Sequence, residues 1–479
     1  MNNNLSFPIS DTLGRSLSRP HACDYGFLFA NPPPSAHEVP LFGYLQCIRE
    51  RSTHVESSAK PTCTTPGAKS RRVVIAGGGY AGTTLAVRLG KALRDADDVE
   101  IMLIEPNPCQ QALSELDLVA VGPPRPEFCE LWLPTLFKDL PVTVCYNRVH
   151  EVKPAEHVLT IGPRSGPHEP VSYWRLVLAT GAIAFVPPVP GLAEHAGTMW
   201  SVADAQELQQ RIEKQFRSAA TIADREARVR ALSFAVIGGG ATGIEIVGTL
   251  GQMLPKRMRE AGLDPADLRI RVIEGRPDVL YDLEPSLRLR ARKRLEHLGV
   301  ELVTGSMVAS VEESAIHLAD GRTIDASVMV FCGGAKADPD AISWSMEADP
   351  SGRLVVDETC RAVGHEDIYA VGDVAAFRDP KDKRTLPMLA QFAIREAEHT
   401  ADNIVREVRG ATPTPFVPNM HGEFVSIGPS YGVGWAFKVH LAGLPAIVMK
   451  RLTYLMYWFS VGGIKLTWKR TREMLSMQR

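Results

Sequence analysis

Two glycine-rich turns in this chain have the residue types and spacing that bind phosphate groups. The first, residues 77–82 (GGGYAG), has glycines at its first, third and sixth positions. In such a turn the first glycine makes the tight bend, the second lets the backbone approach a pyrophosphate, and the third lets the following helix pack closely on a strand. The helix N-terminus then points its partial positive charge at the anion. We therefore predict that Gly77, Gly79 and Gly82 bind a pyrophosphate.

The second turn, residues 238–243 (GGGATG), repeats this spacing. A single glycine motif is weak evidence, because glycines also serve simply to pack a helix on a sheet. Two copies, each preceded by an apolar strand and followed by a helix, argue against that interpretation. Gly238, Gly240 and Gly243 are accordingly predicted to bind a second pyrophosphate.

An acidic residue ends the strand that follows each helix, Glu105 in the first copy and Glu274 in the second. A carboxylate in this position accepts hydrogen bonds from the ribose hydroxyls of an adenosine. Because Glu274 repels a 2′-phosphate, NADH is favoured over NADPH. Arg276, two residues further on, keeps NADPH as an alternative.

These residues are positioned by a repeated strand–helix–strand unit. The pattern of residues 73–104 recurs over residues 234–273, a proline-rich run at 186–191 indicates a crossing between domains, and the strand at 328–331 returns towards the first unit. The sequence predicts an α/β fold with two Rossmann-like dinucleotide-binding domains, the second inserted in the first, plus a C-terminal amphipathic helical tail.

Four further stretches carry a family resemblance: residues 179–181 (ATG), 239–245 (GGATGIE), 369–373 (YAVGD) and 390–397 (AQFAIREA). With the two turns, they resemble the pyridine-nucleotide flavoproteins and, within them, the type II NADH:quinone dehydrogenases, over residues 71–475. The long insertion at 251–267 is also typical of that group.

The resemblance implies a cofactor and a role for each motif. It assigns FAD to the first turn and the nicotinamide nucleotide to the second, and it identifies the site residues Thr180, Gly181, Gly372 and Asp373, with Asp373 on the ribityl chain. Glu245 is either an acid/base group near the rings or a nucleotide-binding residue, and Gln391 lies at the quinone end. No metal is implied.

Two positions depart from the family's pattern at the quinone end. Arg395 stands where a second glutamine is usual, and Ala397 where glycine is usual. A cation at residue 395 changes the hydrogen bonding available to a quinone headgroup.

The predicted domain boundaries follow from the positions of these motifs. They are a disordered N-terminal extension (1–70), the first part of the FAD-binding domain (71–185), the NAD(P)H-binding domain (186–325), the second part of the FAD-binding domain (326–431) and a membrane-associating tail (432–479). Arg15 and Arg19, which lie among serines, leave an organelle transit peptide as an alternative.

The tail has the composition of a helix that lies in an anionic membrane surface. Five apolar residues share one face at helical spacing, and basic residues flank them. The face consists of Val448, Leu452, Leu455, Met456 and Phe459; the flanking cations are Lys450, Arg451, Lys465, Lys469, Arg470 and Arg472. The longest apolar stretch is shorter than the roughly 20 residues that span a bilayer. We expect a peripheral protein at the cytoplasmic face of the inner or plasma membrane. The alternative is a helix at a homodimer interface or in the core, with a solvated basic edge.

The net charge and the positions of the cysteines argue against several classes of function. A net charge of -2 gives no whole-chain argument for nucleic acid, and the eight cysteines include no Cys-x-x-Cys pair. Disulfide reductases of this fold need a vicinal redox pair, and sulfide:quinone oxidoreductases need a cysteine after the Gly372-Asp373 motif, whereas none follows Cys360. An oxidoreductase with a soluble acceptor, similar to ferredoxin or rubredoxin reductases, and a non-catalytic redox-sensing flavoprotein remain alternatives.

Overall fold

The computed structural model describes residues 70–122, 126–337 and 344–476. The predicted N-terminal extension, residues 1–70, lies almost wholly outside this described part.

The first glycine-rich turn follows the middle strand of a five-stranded parallel sheet. Residues 73–76 of its middle strand are fully buried, as expected for a parallel strand that is covered on both faces. In spatial order the strands are β21 (Ile368–Ala370), β9 (Arg175–Leu178), β1 (Arg71–Ala76), β2 (Val99–Ile104) and β5 (Val142–Cys145).

A second five-stranded parallel sheet supports the second turn in the same way. In spatial order its strands are β11 (Ala196–Thr198), β18 (Val328–Phe331), β12 (Ser233–Ile237), β13 (Arg269–Glu274) and β14 (Val300–Thr304). Strands β1 and β12 occupy the same middle position, and each is followed by a glycine-rich turn. The predicted α/β class and its duplicated unit are confirmed.

The chain leaves the first sheet after β9 and returns to it at β21, and all strands of the second sheet lie between these two points. Where it leaves and returns, β10 (Ala182–Ala184) and β19 (Ala335–Ala337) pair antiparallel. This short ribbon joins the two crossings.

Ten α-helices cover the sheets or connect them in the described part of the chain. They are α1 (Tyr80–Ala92), α2 (Leu116–Val121), α3 (Leu133–Phe137), α4 (Leu192–His195), α5 (Val202–Ala219), α6 (Arg225–Ala231), α7 (Ala241–Glu260), α8 (Pro285–His297), α9 (Ala390–Val408) and α10 (Leu444–Ser476). The predicted insertion at 251–267 is largely an extension of α7, followed by a 3₁₀ turn at Pro265–Asp267.

The remaining strands form small sheets. Three of these have three strands: β6 (Arg148–Lys153), β7 (Val158–Gly162) and β8 (Glu169–Ser172); β15 (Val308–Val311), β16 (Ala315–Leu318) and β17 (Thr323–Asp325); β23 (Gly422–Ser426), β24 (Gly432–Ala436) and β25 (Val439–Gly443). Two are pairs: β3 (Cys109–Gln111) with β4 (Glu130–Trp132), and β20 (Leu354–Val355) with β22 (Ala375–Ala376).

The C-terminal tail begins differently from the sequence prediction. Helix is predicted from Gly432, whereas residues up to Gly443 form β24 and β25, and α10 starts only at Leu444. Gly463, with φ +64°, interrupts α10 with a kink. No helix within residues 70–122, 126–337 and 344–476 is long and apolar enough to cross a membrane.

Helix α10 buries one face and exposes another. Tyr457, Trp458 and Val461 are buried in the main core. Of the predicted apolar face, four residues are exposed and Leu455 is half-buried; the four are Val448, Leu452, Met456 and Phe459.

Candidate functional site

The first glycine-rich turn has two glycines that no other residue can replace without movement of the backbone. Gly77 has φ +106°, and a Cβ built on it would lie 2.3 Å from the carbonyl oxygen of Ala179. A Cβ on Gly82 would lie 1.8 Å from the carbonyl oxygen of Gly77. The first contact packs the turn against the end of β9, and the second packs α1 against the turn.

Gly79 lies between Gly77 and Gly82, and neither its backbone conformation nor its protein neighbours require a glycine there. Its backbone has φ −70°, and a Cβ there would meet no atom within 4 Å. It is the N-cap of α1, and no side chain caps that helix end. An open space in front of an uncapped helix N-terminus fits a pyrophosphate, which would accept hydrogen bonds from the free amides.

Glu105 lies beside this space and is held by its neighbours. Its Oε2 accepts a hydrogen bond from the Gly78 amide at 2.7 Å, and its Oε1 accepts hydrogen bonds from the amide and the side-chain nitrogen of Asn107 at 2.9 and 3.0 Å. Burial raises the pKa of Glu105, although these hydrogen bonds oppose the shift. The fixed carboxyl retains accepting capacity for ribose hydroxyls.

The second turn reproduces this geometry. Gly238 has φ +114°, and its Cβ would lie 2.6 Å from the carbonyl oxygen of Cys332, which takes the place of Ala179. A Cβ on Gly243 would lie 1.9 Å from the carbonyl oxygen of Gly238, whereas one on Gly240 would meet nothing within 4 Å. The two turns are structural copies, each with one open glycine. Burial raises the pKa of the Cys332 thiol to about 12, which fits a packed core thiol.

The acid of the second copy has a cationic neighbour. Glu274 accepts a hydrogen bond from the Gly239 amide at 2.7 Å and one from the Arg276 amide at 2.8 Å. The Arg276 side chain lies 3.6 Å from Glu274 and 3.0 Å from Asp282. Arg276 takes the position that Asn107 has in the first copy, and two carboxylates already neutralise its charge.

The predicted residues of the first site outside the turn lie at the same edge of the sheet. Thr180 follows β9, and its buried hydroxyl has no hydrogen-bond partner within the described residues. Gly181 has φ +75° and open space around it. Gly372, also at φ +75°, directly contacts α1, since its Cβ would lie 3.3 Å from that of Ala81. Asp373 is half-buried, and burial raises its pKa. An unpartnered hydroxyl and an available carboxyl beside the turn fit a polar ligand.

Glu245 is not a free acid/base group in this structure. It forms an ion pair with Lys450 of α10, and it accepts hydrogen bonds from the amide and hydroxyl of Ser426, both at 3.1 Å. Burial by itself lowers the pKa of Lys450, but Glu245 and nearby acidic groups outweigh it, so the pKa is raised and the amine stays charged.

Two more buried acids accompany this pair. Burial raises the pKa of Glu115 to about 8 and that of Asp117 to about 6, and the charge of Glu245 contributes to the second shift. Sequence reasoning missed Glu115, Asp117 and the role of Lys450. The one available signal was the position of Lys450 within an apolar helical run.

Gln391 and Glu245, the two predicted catalytic residues, do not meet. The side-chain amide of Gln391 donates to the carbonyl oxygen of Gly422 at 3.2 Å. Glu245 binds Ser426, at the other end of the same strand β23, and four residues of strand span about 13 Å. The two side chains therefore bind opposite ends of β23 rather than each other.

The tail's cations are divided between the interior and the surface, which corrects the prediction that all six flank a membrane face. Lys450 is paired with Glu245, and Arg451 donates to the carbonyl oxygen of Pro429 at 3.0 Å. Arg470 is only 4% exposed and donates to the carbonyl oxygens of Glu127 and Glu130. The three exposed cations are Lys465, Lys469 and Arg472.

Residues 71–397 match the family described as pyridine nucleotide-disulphide oxidoreductase. A type II NADH:quinone oxidoreductase of Staphylococcus epidermidis is 29% identical over 408 residues, which cover 84% of this chain and 98% of that protein. Among solved structures, NDH2 from Plasmodium falciparum in complex with NADH has a TM-score of 0.76 at 14% identity and covers 86% of this chain and 98% of that one. The sulfide:quinone oxidoreductase of Aquifex aeolicus has a TM-score of 0.67 at 18% identity, over 82% of this chain and 92% of that one. At these identities the structural likeness establishes the fold.

Proposed function

The chain belongs to the pyridine nucleotide-disulphide oxidoreductase family, and from this premise we propose that it is an NADH dehydrogenase that uses FAD and passes electrons to a quinone at a membrane. The observation that carries the proposal is the pair of turns, each with one open glycine in front of an uncapped helix and one fixed carboxyl beside it. The type II NADH:quinone oxidoreductase of S. epidermidis, similar along nearly its whole length, supports the choice of substrates.

FAD would occupy the first turn, with its pyrophosphate at Gly79, its adenosine ribose at Glu105 and its ribityl chain at Asp373. When bound, FAD accepts a hydride from NADH and passes two electrons to the acceptor. The protein's part is to bind both dinucleotides, orient them at the carboxyl edges of the two sheets and exclude water.

NADH would occupy the second turn, with its pyrophosphate at Gly240. The preference for NADH over NADPH rests on charge. Glu274 and Asp282 surround the single guanidinium of Arg276, so a 2′-phosphate would meet net negative charge.

Replacing Gln391 with alanine should lower NADH:quinone turnover about tenfold and leave NADH:ferricyanide turnover within about twofold of the wild type. The Gln391 amide uses one hydrogen for Gly422, which leaves the other for a quinone oxygen. Ferricyanide accepts electrons without a quinone pocket. Both activities are measured on the same purified sample.

A second variant and the opposite outcome complete this test. Arg395→Gln, which restores the family's pattern, should raise quinone turnover or change the preferred quinone. An equal loss in both assays for Gln391→Ala would place Gln391 at the flavin or in the fold. Rapid flavin reduction by NADH with no quinone turnover in the wild type would favour a soluble acceptor, and no reduction at all would favour a redox-sensing protein.

Attachment to a membrane would use the exposed apolar face of α10 with Lys465, Lys469 and Arg472. Met456 is 72% exposed and Phe459 is 60% exposed, and burying a side chain of this size contributes on the order of 1.5–3 kcal/mol. Each exposed cation adds about 1 kcal/mol at an anionic surface. The cytoplasmic face and a homodimer stay predictions.

The double variant Met456→Asp/Phe459→Asp should lower the binding constant for anionic liposomes, measured by flotation, at least about a hundredfold. The reason is that it removes about 3 kcal/mol or more of apolar burial. Deleting the tail is not an equivalent test, because Lys450, Tyr457 and Arg470 make buried contacts. Val363→Asp, at an exposed apolar site outside α10, is the control and should float as the wild type does. Unchanged flotation of the double variant would contradict membrane binding by this face.

A further inference from the structure

A buried carboxyl lies directly behind the Gly372–Asp373 turn. Glu396, on α9, is 2% exposed, and its Oε2 accepts a hydrogen bond from the Gly372 amide at 2.7 Å. Gly372 in turn packs between Ala81, in the first turn of α1, and Ala393 of α9. The carboxyl therefore fixes a turn that touches the first glycine-rich site, without touching the open space itself.

The charges around Glu396 do not include a contacting cation within the described residues. Arg353 is buried nearby, but its guanidinium donates to the carbonyl oxygens of Leu386 and Ala375. The charge of Asp373 raises the pKa of Glu396, and the charge of Glu396 in turn raises the pKa of the Cys360 thiol. The charged residues of the packed helix α1 are engaged further along, Arg88 with Asp402 and Lys91 with the Ser460 carbonyl.

We propose that Glu396 is a positioning residue for the flavin: it holds the Gly372–Asp373 turn against the first site in its neutral form, and its ionisation weakens flavin binding. This inference rests on the proposed FAD site. The geometry supplies both parts of it, since the carboxyl accepts the Gly372 hydrogen bond in either form, but only the ionised form places a negative charge behind the turn, where Arg353 is near but not in contact.

The pH range over which flavin binding should change follows from the burial of Glu396. Burial raises the pKa of Glu396 to about 8, although the Gly372 amide and Arg353 oppose the shift. A carboxyl whose pKa is raised by folding stabilises the fold at pH values below its unfolded pKa, and this contribution is lost as the pH rises through about 8. FAD carries a pyrophosphate dianion, so the same rise in pH should weaken its binding.

The test is the dissociation constant of FAD for the full-length protein at about pH 6.5 and pH 9.5, measured by flavin fluorescence. In the wild type the constant should rise about tenfold, which corresponds to a change of one unit in the pKa of Glu396 on binding. Glu396→Gln keeps a neutral acceptor for Gly372 and should bind as tightly at both pH values as the wild type does at the lower one. Glu396→Ala should bind about tenfold more weakly at both values, because the buried amide loses its acceptor.

Glu398→Gln, on the same helix, is the matched control and should keep the wild-type pH dependence. The pKa of Glu115 is raised into the same range. The comparison of wild type with Glu396→Gln therefore shows whether the pH dependence of FAD binding comes from Glu396. A pH dependence that persists in Glu396→Gln, or a Gln variant as weak as Ala at the lower pH, would overturn the inference. The same holds for a wild type that binds FAD equally at both pH values, whereas a wild type that binds no FAD would overturn the proposed function.

Discussion

Replacing Gly79 with valine should give a folded protein that purifies without flavin. The backbone of Gly79, at φ −70°, is accessible to valine, and a Cβ there meets no protein atom within 4 Å. The substitution should therefore leave the fold intact and fill only the space that the pyrophosphate needs. The measurement is the flavin absorbance of the purified protein, together with the melting temperature of the apoprotein.

Thermal stability separates the two causes of a colourless sample. The melting temperature of the variant should match that of wild-type protein stripped of its flavin, because no packed side chain has to move. A strongly destabilised variant would mean that Gly79 is needed for folding. Full flavin occupancy would show that the first turn is not the FAD site.

The matching change in the second turn should separate the two cofactors. Gly240→Val should purify yellow but should not be reduced by NADH, because Gly240 has φ −74° and the same open surroundings as Gly79. We expect the apparent affinity for NADH to fall at least about a hundredfold, roughly 2.7 kcal/mol. The measurement is the anaerobic bleaching of the flavin by NADH, with dithionite as a reductant that needs no nucleotide site.

Gly79→Val and Gly240→Val are controls for each other, since the residues occupy equivalent positions in the two copies. The assignment of FAD to the first turn would be reversed if Gly240→Val lost the flavin and Gly79→Val kept it. Reduction of Gly240→Val by NADH at the wild-type rate would mean that the nucleotide binds elsewhere.

The two sheets, the two turns and the acids beside them could be predicted without the tertiary structure. Most of this information is local: the close packing of Gly82 and Gly243 and the contact of each turn with the acid at the next strand end lie within one βαβ unit. Gly77 and Gly238 also pack against the carbonyl oxygens of Ala179 and Cys332, which lie outside that unit. Such a unit carries its glycine spacing and its strand period in a continuous stretch, so its geometry can be read without the rest of the chain.

Which charges are buried, and which distant residues come into contact, could not be predicted from sequence. Lys450, Arg451 and Arg470 appear in the sequence as cations of a surface helix, yet they pair with Glu245 and with backbone carbonyls that lie distant in sequence. Glu396 looks like an ordinary helical glutamate until Gly372 is packed against it. Burial depends on which distant elements a helix contacts, and a buried charge needs a partner that no local pattern specifies. For that physical reason the backbone of the two turns was predictable, whereas the burial and pairing of the charged side chains were not.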